Sequence, residues 1–164
     1  MLFNRLKRVK AFMFAVDGVL TDGKIWLTPG GEQLHRLDGK DDYALQLAIK
    51  RDYPIAVVSA GNLQGVKRRM EFIGGVDLFF GVDDKKAVLH DWLSHKGLTA
   101  GDVLYMGSDI PDLLGMQLAG FATCPADAAT EVRAVAAYIS FCRGGDGAVR
   151  DVVEKVMKLQ DTWV

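Results

Sequence analysis

Charge of either sign in excess is missing from this chain, as are paired cysteines, clustered histidines and any long apolar run, and each absence removes a class of protein. Twenty Lys and Arg stand against twenty-one Asp and Glu, a net charge of -1, so no bulk field draws in nucleic acid or an anionic membrane. The small basic cluster Arg5, Lys7, Arg8 and Lys10 comes with no further basic stripe or aromatic platform and reads as a solvated lead-in, not a nucleic-acid surface. Only two cysteines occur, Cys124 and Cys142; their spacing fits neither a zinc knuckle nor a redox pair, so both are expected reduced and buried. His35, His90 and His95 show no metal-ligand spacing. No apolar stretch approaches the roughly 18 residues of a membrane span. Asp17 interrupts the first hydrophobic run where a signal peptide needs continuity, so a cytoplasmic protein is expected.

What is present suits one well-filled core. The 164 residues are 49% hydrophobic and 25% charged, which sets the expectation of a single domain over 1–164. Short apolar runs end abruptly in turn residues at Val9 to Val16, Pro54 to Ser59, Val76 to Phe80, Val103 to Met106 and Gly120 to Cys124, the pattern of strands buried on both faces. Between them lie helical patterns at Asp42 to Arg51, Leu63 to Ile73, Lys85 to Lys96 and Ile110 to Ala119, with a closing one at Gly147 to Gln160. Alternating strands and amphipathic helices predict an α/β fold, a parallel sheet with helices on both faces. One segment breaks the rhythm: Lys24 to Asp38 reads as a hairpin around Pro29-Gly30-Gly31, projecting from the sheet right after the first strand.

In such a sheet, ligands collect beyond the carboxyl ends of the strands. Those ends carry Asp17, Thr21 and Asp22 after the first strand, Ser59 and Asn62 after the second, Lys85 before a helix, and Ser108, Asp109 and Asp112 after the fourth. Hard oxygen ligands suit Mg²⁺, and a lysine with a hydroxyl suits a phosphate oxygen, so the constellation implies phosphoryl chemistry. Each Asp or Ser alone could simply cap the following helix. Capping does not call for Lys85 or for acids at both 109 and 112, so the set taken together reads as a site.

The run FAVDGVLTDG resembles the first motif of the haloacid dehalogenase superfamily, in the form used by 3-deoxy-D-manno-octulosonate 8-phosphate phosphatases. VVSAGN, GVDDK, MGSDIPDL and RGGDGAVRDV resemble, in order, the second motif, the lysine motif, the acidic fourth motif and the glycine-rich segment before the last helix. The resemblance covers almost the whole chain. It implies a capless Rossmann-like domain, Mg²⁺ dependence, a sugar-acid phosphate as substrate, and a homotetramer in which the hairpins pack together and neighbours help close each site. Ile25, Trp26 and Leu27 on a projecting hairpin would form an adhesive patch unless covered, which fits an interface; the alternative is a hairpin folded back on its own domain.

In the family resembled, the first Asp of the first motif attacks phosphorus, and the second, two residues on, serves as general acid and base while its backbone carbonyl faces the metal. The second acid is here as Asp17; the nucleophile position holds Ala15. A methyl group has no lone pair for phosphorus and no oxygen for a cation. The fourth motif, commonly Gly-Asp-Asp, is Gly107-Ser108-Asp109, and the second is Ser59-Ala60-Gly61. On the resemblance, Ser59 and Lys85 contact phosphate, Arg143 beside the glycines contacts the substrate, and Asp17, Asp109 and Asp112 hold Mg²⁺ with weakened affinity. Arg68, Arg69 and Arg150 are basic residues near the places where that family meets its substrate, or else ordinary charges on solvated helix faces. Trp163 either decorates the chain end or reaches a neighbouring subunit. Three altered motifs favour a natural relative that has shed catalysis over a single laboratory replacement. The expected function is that of a phosphatase-family member that is inactive or severely impaired, or else a non-catalytic sugar-phosphate-binding or scaffold protein on the same fold.

Overall fold

A computed structural model describes residues 1–164. In chain order the elements are α1 (Leu2–Leu6), β1 (Ala11–Ala15), β2 (Trp26–Leu27), β3 (Gln33–Leu34), α2 (Gly39–Lys50), β4 (Ile55–Val58), α3 (Gln64–Ile73), β5 (Val76–Phe79) and α4 (Lys85–His95). They continue with β6 (Val103–Met106), α5 (Leu113–Leu118), β7 (Phe121–Cys124), α6 (Thr130–Val135), β8 (Tyr138–Ile139) and α7 (Ala148–Leu159). Six strands form one sheet in the order β5-β4-β1-β6-β7-β8, every neighbouring pair parallel. The expected α/β architecture is therefore what the chain forms, with one strand more than the apolar runs announce.

Strand β1 sits at the centre because AFMFA has no polar side chain to keep wet, and all five residues are buried. Its alternation splits the core in two. Phe12 and Phe14 face a layer with Leu45 of α2, Val66 and Met70 of α3, and Val152 and Val156 of α7. Met13 faces the opposite layer, with Leu89 and Trp92 of α4, Met116 of α5 and Val132 of α6. Each fully buried phenylalanine contributes on the order of 2–3 kcal/mol, so the central strand is held from both sides and its carboxyl end is a rigid platform.

Strand β5 is one edge of the sheet, and its second residue is charged. Asp77 accepts from Trp92 Nε1 at 2.8 Å and pairs with Lys96 Nζ at 3.0 Å. A groove of about 670 Å³ runs along this edge between α3 and α4, away from the strand ends where the sequence gathers its polar residues.

The hairpin projects as expected, but its paired part is short: only Trp26 with Leu34 and Leu27 with Gln33 are in register. Thr21 and Leu37 bridge its base. Ile25, Trp26, Leu27 and Leu34 are all exposed, so the hairpin does not fold back to bury them. The expected helix Ile110 to Ala119 instead opens as a 3-10 turn, Ile110–Asp112, with Pro111 in its first turn, before α5 proper begins.

Helices α2 and α7 meet through a buried acid. Asp41 is 1% exposed; its Oδ1 accepts the backbone N–H of Arg150 at 2.8 Å, while Oδ2 has no partner. Burial pushes this carboxyl from the usual 3.8 up to about 7, and the nearby Asp38 and Asp42 charges add to it, against the N–H groups of Arg150 and Gly147. A folded-state pKa above the unfolded one favours the protonated fold, so this stability is fully present below about pH 4 and lost as pH rises through about 7. Asp41→Asn is expected to raise stability at pH 8 by about 2 kcal/mol, a figure below the full shift because the amide still leaves one buried polar atom there without a partner. Urea denaturation at pH 5 and pH 8 checks this: the variant should lose the parent's decline between the two, and an unchanged decline would assign it elsewhere.

Candidate functional site

Strands β4, β1 and β6 lie side by side, with Ala15 opposite Val58 and Phe14 opposite Met106. Their carboxyl ends therefore deliver Ala15, Ser59 and Ser108 to one rim. The chain leaves β1 through a tight turn in which Asp17 (φ -65, ψ 123) and Gly18 (φ 78, ψ 0) depart from helical geometry; the positive φ at 18 is the conformation glycine takes without strain. Thr21, fully buried, closes the turn: its Oγ1 accepts from Gly18 N at 3.3 Å and Gly23 N at 3.1 Å. Thr21 thus holds the loop and is not presented to a ligand.

The Asp17-Gly18 turn is held at two successive carbonyls, those of Asp17 and Gly18. Ser108 Oγ donates to the Asp17 backbone oxygen at 2.6 Å. At the second carbonyl the glycine segment presses in so closely that a Cβ on Gly144 would lie 1.8 Å from the Gly18 oxygen, which is why glycine is needed there. The Asp17 carboxyl itself is exposed at the rim.

Ser59 is buried, and its Oγ accepts from Gly61 N at 3.1 Å, which leaves the hydroxyl proton free to be donated. Lys85 Nζ donates to Asp112 Oδ1 at 2.9 Å, with the two side chains only 10% and 2% exposed. Asp112 Oδ1 also accepts from the Tyr105 hydroxyl at 2.8 Å; its Oδ2 accepts from Ser108 N at 2.9 Å and Asp109 N at 3.4 Å. Burial first, then the neighbouring Asp112 charge, holds the Tyr105 phenol well above its usual range, so it stays protonated and donates. Asp109 caps the next turn, accepting from Ile110 N at 2.7 Å. Arg143 is exposed, 3.7 Å from Asp127.

One residue that the sequence reading missed joins the rim. Arg36, from the hairpin, reaches Asp22 Oδ2 at 3.3 Å and Asp146 Oδ1 at 3.1 Å, tying hairpin, first loop and glycine segment together.

No protein-family model matches the chain. The 3-deoxy-D-manno-octulosonate 8-phosphate phosphatase KdsC of Yersinia pestis is 28% identical over 160 residues, 98% of this chain and 86% of that protein. Among solved structures, a probable YrbI family phosphatase of Pseudomonas syringae is 33% identical with a TM-score of 0.94, the match covering 98% of this chain and 92% of that one. The 3-deoxy-D-manno-octulosonate 8-phosphate phosphatase of Moraxella catarrhalis, solved with magnesium, phosphate and a KDO molecule, is 31% identical with a TM-score of 0.93 and the same coverage. The chain belongs to the 3-deoxy-D-manno-octulosonate 8-phosphate phosphatase family.

As a member of that phosphatase family it departs from expectation at the metal. The expected set Asp17, Asp109 and Asp112 is not assembled: no group of three or more His, Cys, Asp or Glu side chains is arranged to hold an ion. Asp112 turns inward and is saturated by Lys85, Tyr105 and two backbone N–H groups, and Asp109 is engaged as a cap. Ala15 offers no oxygen, and the Asp17 carbonyl already accepts a hydrogen bond from Ser108. The residues present do not fit Mg²⁺, which needs near-octahedral oxygen ligation with carboxylate charge.

Two of the basic candidates of this family member are occupied within the chain. Arg69 pairs with the buried Asp42 at 2.7 Å. Arg150 lies over the rings of Tyr43 and Trp163, 5.7 and 4.8 Å from their centroids, so Trp163 docks on its own chain. Cys124 is buried as expected, and burial pushes its thiol up to about 11; Cys142 is half-buried.

Proposed function

We propose that this member of the phosphatase family does not hydrolyse phosphate monoesters, and serves as a non-catalytic protein that recognises a sugar-acid phosphate within a homotetramer. The observation that carries the reading is the Ala15 methyl at the end of β1, where 1% of the residue is exposed and no neighbouring side chain supplies a replacement oxygen: Phe14 and Val16 are apolar and buried. Without a nucleophile there is no covalent phosphoenzyme to form and no two-step route to lower the barrier. Phosphate recognition is supported by the unspent Ser59 hydroxyl and the Lys85 ammonium, and by relatives of like fold that act on an eight-carbon sugar-acid phosphate. Recognition of the sugar acid is assigned to Arg143, which is exposed beside the close-packed glycines. Assembly is supported by the exposed apolar side chains of the hairpin, Ile25, Trp26, Leu27 and Leu34, which a neighbouring subunit would cover.

The test is turnover of p-nitrophenyl phosphate and of 3-deoxy-D-manno-octulosonate 8-phosphate by the purified chain with Mg²⁺, together with its intact mass. Release at background and an unmodified mass are expected; a phosphorylated adduct, or turnover near the ~10 s⁻¹ of a typical enzyme, would refute the reading. Sedimentation of the same material tests the assembly, a monomer counting against it.

A further inference from the structure

We infer that the strand-end site is built to work without a divalent cation, the Ser108 hydroxyl taking the place that an ion would fill between the first and fourth strand-end loops. The inference deepens the reading above and rests on it. Two oxygens bound to one Mg²⁺ at about 2.0–2.1 Å lie roughly 3 Å apart at right angles and roughly 4 Å apart when opposite. Ser108 Oγ and the Asp17 carbonyl oxygen are 2.6 Å apart, the separation of a direct O–H···O hydrogen bond. The hydroxyl donates a hydrogen bond to the carbonyl oxygen that would otherwise face a cation, so the two loops are joined with nothing between them.

The surroundings agree. A Cβ on Gly18 would sit 2.6 Å from Ser108 Oγ, so the serine is packed against the turn it ties. The carboxylate that could otherwise neutralise an ion, Asp112, is already neutralised by Lys85 at 2.9 Å, and its second oxygen accepts Ser108's own backbone N–H at 2.9 Å. Ser108 is therefore held at its N–H by one carboxylate and through its hydroxyl by the Asp17 carbonyl. A cation entering here would have to break the second bond and would find an alanine methyl at 15 in return. The loss at 15 and the serine at 108 thus belong together: one removes the negative charge that an ion would balance, and the other fills the gap with a donor.

The experiment uses the full chain and Mg²⁺ itself. Calorimetric titration with MgCl2 is expected to show no saturable heat, and the thermal midpoint should agree within about 1 °C between EDTA and about 10 mM Mg²⁺. Ser108→Ala should lower the midpoint by about 2–4 °C, equally in EDTA and in Mg²⁺, as loss of one structural hydrogen bond does in a chain of this size. Ala15→Asp combined with Ser108→Asp should acquire a Mg²⁺-dependent rise of about 5 °C or more. Saturable Mg²⁺ binding by the unaltered chain would overturn the inference, as would a midpoint unmoved by Ser108→Ala or a double variant indifferent to Mg²⁺. The two readings fail separately: cation binding without turnover removes only this one, and turnover in EDTA removes only the proposed silence.

Discussion

Ala15→Asp alone is expected to leave phosphatase turnover at background, whereas Ala15→Asp with Ser108→Asp should raise it by about a thousandfold or more over either single variant. The reason is coupling. A carboxylate at 15 enters a position buried in the main apolar cluster, and without a cation beside it the charge is costly and repelled by the exposed Asp17 nearby. Ser108→Asp alone breaks the tie to the Asp17 carbonyl and sets a third acid beside Asp109 and Asp112, again with nothing to balance it. Only together do the two acids make a charge pair that an ion can bridge, so their effects are far from additive. Initial rates on p-nitrophenyl phosphate at saturating Mg²⁺ decide the matter. Full recovery in Ala15→Asp alone would show that the Ser108 tie is no obstacle, and silence in the double variant would place the lost catalysis beyond these two positions.

Lys85→Met should cost about 3–5 kcal/mol of stability, the usual penalty for removing one partner of a buried ion pair. Lys85 and Asp112 are almost wholly enclosed, and the methionine would leave the carboxylate with the Tyr105 hydroxyl and backbone N–H groups but no positive charge. Adding Asp112→Asn to the same chain should return a large part of the loss, because the amide oxygen can still accept from the backbone N–H groups and its NH2 can donate to the Tyr105 oxygen, without the stranded charge. Urea denaturation of the parent, the single variant and the pair measures both effects. A single variant within about 1 kcal/mol of the parent would mean that Lys85 is held loosely enough to be spared, and the ion pair would lose its place as the pillar under the fourth loop.

The strands at the centre of the sheet are legible in the sequence because burial on both faces leaves no room for polar residues: AFMFA, IAVV and VLYM announce themselves. The short pieces do not. Strand β8 is two residues long and half exposed, and helix α6 is six residues with one buried side chain, too little periodicity for either to stand out. The alternation of helices and strands likewise gives the layers, while the switch from 3-10 to α geometry after Pro111 is a detail of capping by Asp109.

At the site, the residue types Ala15, Ser59 and Lys85 could be read directly, since each is a matter of sequence position near a strand end. The metal set could not, because it depends on where carboxylates turn. Asp109 and Asp112 are near neighbours in sequence, yet one looks outward to cap a turn and the other inward to Lys85 and Tyr105. The close fit of Asp112 under Gly107, where a Cβ would meet its own at 2.4 Å, fixes that inward turn and is invisible in a list of acids. Arg36 escaped notice for a related reason: its two partners are 14 and 110 residues away, and nothing local marks it.

The charged residue on the outermost strand sets where the sheet stops. Another chain seeking to extend β5 would have to seal the Asp77 carboxylate, with its tryptophan and lysine partners, beneath a fresh layer of backbone, and that desolvation opposes growth in that direction. Sheet extension is thus discouraged at one border while the greasy hairpin is left uncovered, so the molecule carries its own instruction about which of its surfaces is permitted to be sticky.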